Sequence, residues 1–223
     1  MIIGIAILYL PEPKKDNIKM IAIIDYGMGN LRSVQAGFEH VGQKVFITDK
    51  PDEIINADGV ILPGVGAFGD AIKRLNETGL GDAFCKSVKQ GKPCIGICLG
   101  LQLLFSESEE GGLFRGLDII KGKVIRFSNN LKVPHMGWNQ INIKKHNSAL
   151  FQNVPDGSYV YFVHSYFVVP EDNSVISATT NYGIDFTSVI EKDNLFGTQF
   201  HPEKSQSIGL QILRNFGSLV KKS

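Results

Sequence analysis

Residues 92–105, KPCIGICLGLQLLF, decide the fold of this chain, because they combine a strand, a tight turn and a helix. Residues 93–97 form a short apolar run after Gly91, which predicts a buried strand. The leucine-rich residues 99–105 predict the start of a helix. Between them, residues 96–100 read G-x-C-x-G. This spacing is typical of a nucleophile elbow with cysteine as the nucleophile.

The elbow predicts a reactive thiol at Cys98. Gly96 and Gly100 suit a turn that is too tight for side chains at those two positions. The turn would present the thiol at the top of a sheet, beside the free N–H groups and the positive end of a helix. That field favours the thiolate, which is the attacking form, and the same N–H groups can bind an oxyanion. A buried structural cysteine in a glycine-rich turn is the alternative interpretation.

Length, charge and cysteine count limit the class of protein. A chain of 223 residues is long enough for one α/β domain with a sizeable core. The net charge of +1 gives no sign of a polyanionic partner, so we expect no nucleic acid. The three cysteines, Cys85, Cys94 and Cys98, are an odd number and lack metal-site spacing. We therefore expect no disulfide framework, no metal and a reduced, cytoplasmic setting.

The first 19 residues are expected to form an extension outside the domain, which would then span residues 20–223. The apolar stretch MIIGIAILYL at residues 1–10 is too short to cross a membrane. It lacks a basic n-region, and PEPKKDN follows where a small-residue cleavage site would be needed. The sequence therefore predicts neither a signal peptide nor a membrane partner.

Strands and helices alternate up to residue 105, which predicts a parallel sheet with right-handed crossovers. The predicted strands are 20–25, 44–48, 59–62 and 93–97, and the predicted helices are 31–41, 51–56, 68–76 and 80–90. Beyond Gly111 and Gly112, short β-rich runs predict an antiparallel part of the same domain. These runs are 119–127, 140–143, 159–163, 174–180, 186–191 and 195–200, and a closing amphipathic helix is predicted over 206–222.

Two glycine loops follow predicted strands. Gly27 and Gly29 resemble the start of a dinucleotide fingerprint, but Arg32 stands where its third glycine should be, so we expect no cofactor. Residues 63–66, Pro-Gly-Val-Gly, follow strand 59–62 at the carboxyl end, where ligands bind in open parallel sheets. An ordinary strand-to-helix turn is the alternative. With the elbow one strand later, a second oxyanion donor is favoured here.

His201 is the best candidate base for Cys98 among the five histidines. It follows strand 195–200 and precedes Pro202 and Glu203. In an extended chain, residues i and i+2 face the same side, so Glu203 could hold one imidazole nitrogen and leave the other for the thiol. His40 and His146 are expected at the surface. A surface His–Glu pair is the alternative, but the elbow together with H-x-E favours catalysis.

Six motifs give the chain from Met20 onward a clear family resemblance. They are IDYGMGNLRSV at 24–34, LPGVGAF at 62–68, GICLGLQLLF at 96–105, PHMGWN at 134–139, YFVHSY at 161–166 and FHPEKS at 200–205. The chain resembles the class I, triad-type glutamine amidotransferases, and more narrowly the glutaminase subunits of imidazole glycerol phosphate synthases. This resemblance implies a flavodoxin-like three-layer α/β sandwich, with a mixed, mainly parallel sheet, helices on both faces and a small antiparallel part.

The resemblance also implies a reaction and its residues. Cys98, His201 and Glu203 would form a triad that hydrolyses glutamine to glutamate and ammonia through a glutamyl thioester. The oxyanion would be held by N–H groups of Leu99 and of the segment Gly64, Val65 and Gly66. The amino-acid end of glutamine would be bound by Gln102, Glu110 and the backbone of Ser165 and Tyr166.

The resemblance further implies a heterodimer with a barrel cyclase subunit. That partner would use the ammonia to make imidazole glycerol phosphate and aminoimidazole-carboxamide ribonucleotide in histidine biosynthesis. The residues matching the interface are Asn30, Trp138, Tyr161 and Lys204. A paralogous glutaminase that serves a different acceptor, for example in sugar amidination, stays open. A serine-elbow hydrolase is disfavoured, because in that fold the acid precedes the histidine, whereas Glu203 follows His201.

Overall fold

The computed structural model describes residues 19–222, so the predicted extension lies outside the described residues except for Lys19. The strands are β1 (Ile21–Ile24), β2 (Val45–Thr48), β3 (Gly59–Leu62), β4 (Cys94–Ile97), β5 (Phe105–Ser108), β6 (Phe114–Arg115), β7 (Ile120–Arg126), β8 (His135–Gln140), β9 (Asn142–Ile143), β10 (Tyr159–His164), β11 (Tyr166–Pro170), β12 (Ile176–Asn181), β13 (Asp185–Lys192) and β14 (Leu195–Thr198). The α-helices are α1 (Leu31–His40), α2 (Pro51–Asn56), α3 (Phe68–Thr78), α4 (Leu80–Lys89), α5 (Leu99–Leu103) and α6 (Gln206–Lys222).

One mixed sheet organises the described part of the chain. Its strands follow the order β2-β1-β3-β4-β14-β13-β11-β7-β5-β6, and β12 and β9 branch from β13. The first five strands are parallel, in the 2-1-3-4-5 order of flavodoxin-like folds. From β14 onward, β13, β11 and β7 pair antiparallel. The predicted parallel half and antiparallel continuation are therefore confirmed.

Helices cover both faces of the parallel half. Along β1, Ile21 and Ile23 belong to the hydrophobic cluster that includes α1 and α6. Ala22 and Ile24 point the other way and belong to the cluster that includes α2, α3 and α4. Because consecutive strand residues face opposite sides, a strand between two helix layers must be apolar throughout. The predicted three-layer arrangement is thus confirmed.

A second, two-stranded sheet pairs β8 with β10. Its inner face packs into the core through residues such as Val160 and Phe162, whereas Met136, Trp138 and Tyr159 are exposed. The sequence pattern did not predict β8, because PHMGWN has no β-branched residue and contains Gly137. Pairing with β10 stabilises the strand conformation of β8, although its residues have low β-propensity.

The helix predicted over residues 99–105 is shorter than expected. Helix α5 ends at Leu103, and Phe105 begins strand β5, which pairs with β7. A continuous apolar run has the same pattern in a buried helix and in a buried strand, so the sequence does not show where one ends and the other begins. Strand pairing with β7 determines that boundary. No helix within residues 19–222 combines the length and the apolar character that a membrane crossing needs.

Candidate active site

Cys98 lies in a sharp turn between β4 and α5. Its backbone has φ 56° and ψ −108°, a strained conformation for a residue other than glycine. A Cβ atom on Gly100 would collide with the carbonyl oxygen of Leu62, and one on Gly96 would lie 2.6 Å from the carbonyl oxygen of Gly100. Glycine at both positions therefore lets β3, β4 and α5 approach closely enough to form the elbow.

The Cys98 thiol is buried, with only 6% of the residue exposed, so the expectation of a protruding thiol is wrong. Strands and loops that follow the elbow in the chain close over it and leave a pocket of about 320 Å³. Of the predicted site residues, this pocket is lined by Cys98, His201, Val65, Gly66, Leu99, Gln102, Glu110, Ser165 and Tyr166. The predicted residues Gly64 and Glu203 do not line it and support it from behind.

His201 and Glu203 form a buried pair. The distance between His201 Nδ1 and Glu203 Oε1 is 2.8 Å, and both side chains are less than 5% exposed. The expected extended conformation is wrong, because residues 202–204 form a 3-10 turn that begins after His201. Pro202 suits the first position of such a turn, since its φ is fixed and it has no N–H to satisfy. The turn brings the carboxylate back onto the imidazole.

The surroundings of His201 favour its protonated form. Burial lowers the pKa of the imidazole, but contact with the Cys98 thiol and the hydrogen bond with Glu203 outweigh burial and raise the pKa to about 10. The Nε2 atom is buried and makes no hydrogen bond of normal geometry. Catalytic hydrogen bonds are often long in ligand-free sites and tighten when substrate binds.

The segment Gly64, Val65 and Gly66 is anchored at one end and open at the other. The Tyr26 hydroxyl donates to the Pro63 carbonyl over 2.9 Å, and a Cβ atom on Gly64 would lie 2.5 Å from that hydroxyl oxygen. Burial, and secondarily the nearby Cys98, raise the pKa of Tyr26, which keeps it a neutral donor. Val65 is exposed and Gly66 has φ +101°.

Gln102 is held in one orientation. Its Nε2 donates to the Tyr166 carbonyl over 3.0 Å and to Gln199 Oε1 over 3.1 Å. A backbone carbonyl only accepts, so the amide nitrogen must face it, and both amide hydrogens are then used. The Gln102 side chain is buried and lines the pocket. Its Oε1 is therefore the atom left to accept a hydrogen bond from a ligand.

Glu110 lies at the pocket beside α3. Its Oε2 accepts from the Phe68 N–H over 2.9 Å, at the start of that helix. Partial burial raises the pKa of the Glu110 carboxyl, and the bond from Phe68 opposes that rise. The Ser165 carbonyl already accepts from the Phe127 N–H over 3.1 Å. The carbonyls of Ser165 and Tyr166 thus support the pocket wall.

Sequence reasoning missed Gln199, which is completely buried. Its Nε2 donates to the Cys98 sulfur over 3.8 Å, while the thiol itself lies 3.9 Å from the Val163 carbonyl. A signal was available, because Gln199 stands two residues before His201 and so faces the same side of an extended chain.

Two further histidines form a buried pair next to the pocket. His164 Nδ1 lies 2.8 Å from the Tyr166 carbonyl, and His164 Nε2 lies 3.0 Å from His135 Nδ1. Since the carbonyl only accepts, His164 carries its proton on Nδ1 and accepts from His135 at Nε2. Burial lowers the pKa of His164 to about 3 and that of His135 to about 4. Both rings are therefore neutral at neutral pH.

The four residues matched to a partner interface lie on four elements. Asn30 caps α1 by accepting from the Ser33 N–H over 3.4 Å. The rings of Trp138 and Tyr161 pack edge to face across β8 and β10, with centroids 6.0 Å apart, and Lys204 is exposed at the end of the turn after His201. The His201 N–H donates to the Tyr161 carbonyl over 3.0 Å, which ties strand β10 to the base.

Residues 19–222 contain no group of three or more histidine, cysteine, aspartate or glutamate side chains arranged to hold a metal ion. Cys85, Cys94 and Cys98 are all free. The pocket presents a thiol and the imidazole of an imidazole–carboxylate pair, and together with backbone N–H groups these are the parts used in nucleophilic acyl transfer.

Comparison with known proteins identifies the family. A model of the class-I glutamine amidotransferase family matches residues 22–219. The chain is 55% identical over 207 residues to the imidazole glycerol phosphate synthase subunit HisH of Syntrophotalea carbinolica, covering 90% of this chain and 100% of that one. It is 54% identical over 204 residues to the subunit of that name in Moorella thermoacetica, covering 92% and 97%.

A solved structure shows the same fold at much lower identity. The crystal structure of a glutamine amidotransferase superposes with a TM-score of 0.71 at 18% identity, covering 90% of this chain and 98% of that one. The chain is therefore a member of the class-I glutamine amidotransferase family and, within it, of the HisH subunits of imidazole glycerol phosphate synthase.

Proposed function

We propose that this chain hydrolyses glutamine to glutamate and ammonia, with Cys98 as nucleophile, His201 as acid and base, and Glu203 as the group that orients His201. The observation that carries the proposal is that Cys98 and His201 line one pocket, with the Glu203 carboxylate hydrogen-bonded to His201 from behind. A strained elbow, a base and an orienting carboxylate are the three parts that a cysteine-based acyl transfer needs.

The proposed reaction has two stages. The Cys98 sulfur attacks the side-chain carbonyl carbon of glutamine, and the negative charge moves to the carbonyl oxygen. His201 gives its proton to the amide nitrogen, ammonia leaves, and a glutamyl thioester remains on Cys98. His201 then takes a proton from water, the resulting hydroxide attacks the thioester, and glutamate leaves with Cys98 restored.

The oxyanion of each stage would be bound by the N–H of Leu99 and by an N–H of the segment Gly64, Val65 and Gly66. Leu99 is the first residue of α5, so its N–H has no acceptor within the helix. Removing one such donor typically lowers the rate about 100- to 1000-fold. Two donors, one at the start of α5 and one on the loop after β3, make the site complementary to the tetrahedral intermediate rather than to the planar amide.

The α-ammonium of glutamine would be held by the Glu110 carboxylate and by the free Oε1 of Gln102. Both groups line the pocket with Cys98. A charged acceptor and an oriented neutral acceptor suit an ammonium group, which only donates. Glu110→Gln is therefore expected to raise KM for glutamine more than it lowers kcat, because the lost contact lies away from the reacting amide.

The ammonia would pass to a barrel cyclase subunit that makes imidazole glycerol phosphate and aminoimidazole-carboxamide ribonucleotide in histidine biosynthesis. Support comes from the HisH relatives, which are named as subunits of imidazole glycerol phosphate synthase. The exposed surface around Trp138, with Tyr161 and Lys204, is the proposed contact in this heterodimer. We propose the cytoplasm as its compartment, since the three cysteines are free.

The test measures two activities separately: the hydrolysis of glutamine, and the formation of product by the complex from free ammonia. Cys98→Ala should abolish glutamine hydrolysis, while the complex with the cyclase should still make product when free ammonium salt is supplied. Gln211→Ala, at a partly buried glutamine on α6, serves as a folding-matched control and should keep both activities. Persisting glutamine hydrolysis in Cys98→Ala would contradict the proposal, as would covalent labelling by a glutamine-like electrophile at Cys85 or Cys94 instead.

A further inference from the structure

The Cys98 sulfur has two polar neighbours with opposite effects on its charge. The thiol can donate its proton toward the Val163 carbonyl, 3.9 Å away, and that contact exists only in the neutral form. The Gln199 amide nitrogen lies 3.8 Å from the same sulfur and can only donate to it. A hydrogen bond to the charged form of a group favours that form, so Gln199 favours the thiolate.

The orientation of Gln199 follows from the network behind it. The Tyr166 carbonyl only accepts, so it fixes the Gln102 Nε2 toward itself. The second hydrogen of that nitrogen then requires an acceptor, which is Gln199 Oε1 at 3.1 Å. With its oxygen facing Gln102, Gln199 must turn its N–H groups toward Cys98. The Tyr166 carbonyl therefore fixes the orientation of both amide groups, and an N–H of Gln199 must point toward the Cys98 sulfur.

Burial makes this arrangement costly to break. Gln199 has no exposed surface, and Gln102 is 4% exposed. A buried amide that loses a partner keeps its full desolvation cost, so both side chains are held in place by the hydrogen bonds they make. Moreover, the same Gln102 that orients Gln199 lines the pocket with Glu110. Contact between a ligand and Gln102 would thus act on the sulfur through one intervening side chain.

We propose that Gln199 is a further catalytic residue, which donates a hydrogen bond to the Cys98 thiolate and links the substrate-binding amide of Gln102 to the nucleophile. This inference rests on the proposed role of Cys98 as nucleophile. The bond strengthens when the sulfur is charged, because charge-assisted hydrogen bonds are roughly twice as strong as neutral ones.

The experiment measures the charge state of Cys98 without glutamine. Iodoacetamide alkylates thiolates, and peptide mass spectrometry separates Cys98 from Cys85 and Cys94. Gln199→Met keeps the side-chain length but removes the donor, so the midpoint of the pH profile for Cys98 alkylation should move upward by about one unit. The value of kcat/KM for glutamine should fall about 10-fold, mainly through kcat.

A second variant guards against loss of folding. Gln199→Glu keeps an acceptor for Gln102 but turns a carboxylate oxygen toward the sulfur, and like charges disfavour the thiolate. Its alkylation midpoint should lie above that of Gln199→Met. Gln211→Met makes the same chemical change on α6, away from the pocket, and should leave the midpoint and the kinetics unchanged. If folded Gln199→Met and Gln199→Glu variants both alkylate with the wild-type profile, the inference is overturned.

The two proposals fail separately. If the wild-type chain with its partner does not hydrolyse glutamine, the proposed function is wrong, yet the alkylation profiles still decide whether Gln199 acts on the Cys98 sulfur. If glutamine is hydrolysed but the profiles do not move, the function stands and Gln199 has only a packing role. A purely structural role predicts a lower melting temperature with an unchanged alkylation midpoint.

Discussion

At the scale of single residues, the charge of His201 is the property that the fold controls most clearly. Its pKa is about 10 in the folded chain and 6.5 in a free side chain. Between these values His201 is therefore more protonated in the folded state than in the unfolded state, so its contribution to stability falls as pH rises through that window. The stabilisation is fully present below about pH 6.5 and is lost as pH passes through the folded value.

Replacing Glu203 by glutamine tests this account. Without the carboxylate, the His201 pKa should fall, and the free energy of unfolding should decline less steeply between about pH 6.5 and pH 10 than in the wild type. Glutamine turnover should drop about 100-fold or more, because the base loses its orienting group. Urea unfolding at several pH values measures the first effect, and steady-state kinetics the second.

Glu77→Gln provides the matched control for that experiment. Glu77 forms an exposed ion pair with Lys73 at 3.9 Å on helix α3. Exposed pairs contribute little to stability, so this substitution should leave both the pH slope and the turnover near wild-type values. If the free energy of unfolding declined with pH equally steeply in the wild type and in Glu203→Gln, the assigned charge of His201 would be contradicted.

At the scale of elements, the elbow depends on the close approach of β3, β4 and α5. Gly100→Ala would push a methyl group into the Leu62 carbonyl, and neither backbone segment can yield without moving Cys98. We expect a loss of roughly 3 kcal/mol in the free energy of unfolding, together with a loss of glutaminase activity. Chemical denaturation and kinetics on the purified variant measure both.

Gly81→Ala separates crowding at the elbow from a general intolerance of alanine. Gly81 lies in helix α4, and its added methyl would come within 3.1 Å of the side-chain end of Leu117, while Leu75 Cβ and the Leu75 carbonyl oxygen would lie at ordinary contact distances of 3.5 and 3.6 Å. Alanine is the better helix former by about 1 kcal/mol, which offsets that contact. A Gly100→Ala variant as stable and active as Gly81→Ala would show that the elbow tolerates a side chain.

In the segment Gly64, Val65 and Gly66, one end is held in place by its neighbours and the other end has room for a change in backbone conformation. Tyr26 and Leu99 crowd Gly64, so this end moves only with the elbow. Gly66 has φ +101°, a conformation open to glycine and strained for other residues. A peptide rotation near Val65 is therefore the change this segment allows at least cost, and it would reorient an oxyanion donor.

At the scale of the whole molecule, we expect the chain alone to be a poor glutaminase that is switched on when the barrel partner binds its own ligand. A donor turned away from the oxyanion costs roughly 100- to 1000-fold in rate. A ligand shifts such an equilibrium only by binding one state more tightly. Steady-state hydrolysis by the chain alone, with ligand-free partner and with liganded partner should rise in that order, and equal rates would rule gating out.

Gly66→Ala probes the switch in the same assay. Alanine disfavours the positive φ of this conformation, so the ratio of stimulated to basal turnover should change from the wild-type value. Gly42→Ala controls for strain alone, because Gly42 has φ +77° at the end of α1 with nothing within 4 Å of an added Cβ. That variant should lose some stability but keep the wild-type ratio of turnover rates.

Deleting residues 1–19 tests the predicted domain boundary. Every motif used for the site lies after Met20, so hydrolysis and partner binding should stay close to full-length values. Lys19 forms an ion pair with Asp58 at 3.2 Å, and its loss should cost little because the pair is partly exposed. A large drop in melting temperature or activity would show that the first residues belong to the domain.

The sequence by itself determined the features that depend on neighbours in the chain. The alternation of apolar runs and helices predicts the parallel half of the sheet, the glycines around Cys98 predict the elbow, and His201 with Glu203 predicts the base and its partner. Each signal is local, since strand and helix periods and tight turns involve residues only a few positions apart.

Only the tertiary structure decided the features that depend on distant segments. Cys98 is buried rather than protruding, because later strands close over it, and Gln199 reaches its sulfur from 101 residues away in the chain. His135 and His164 pair across two strands, one of which has no local strand signal. Burial and hydrogen-bond partners depend on which segments pack together, and no window of sequence contains both sides of such a contact.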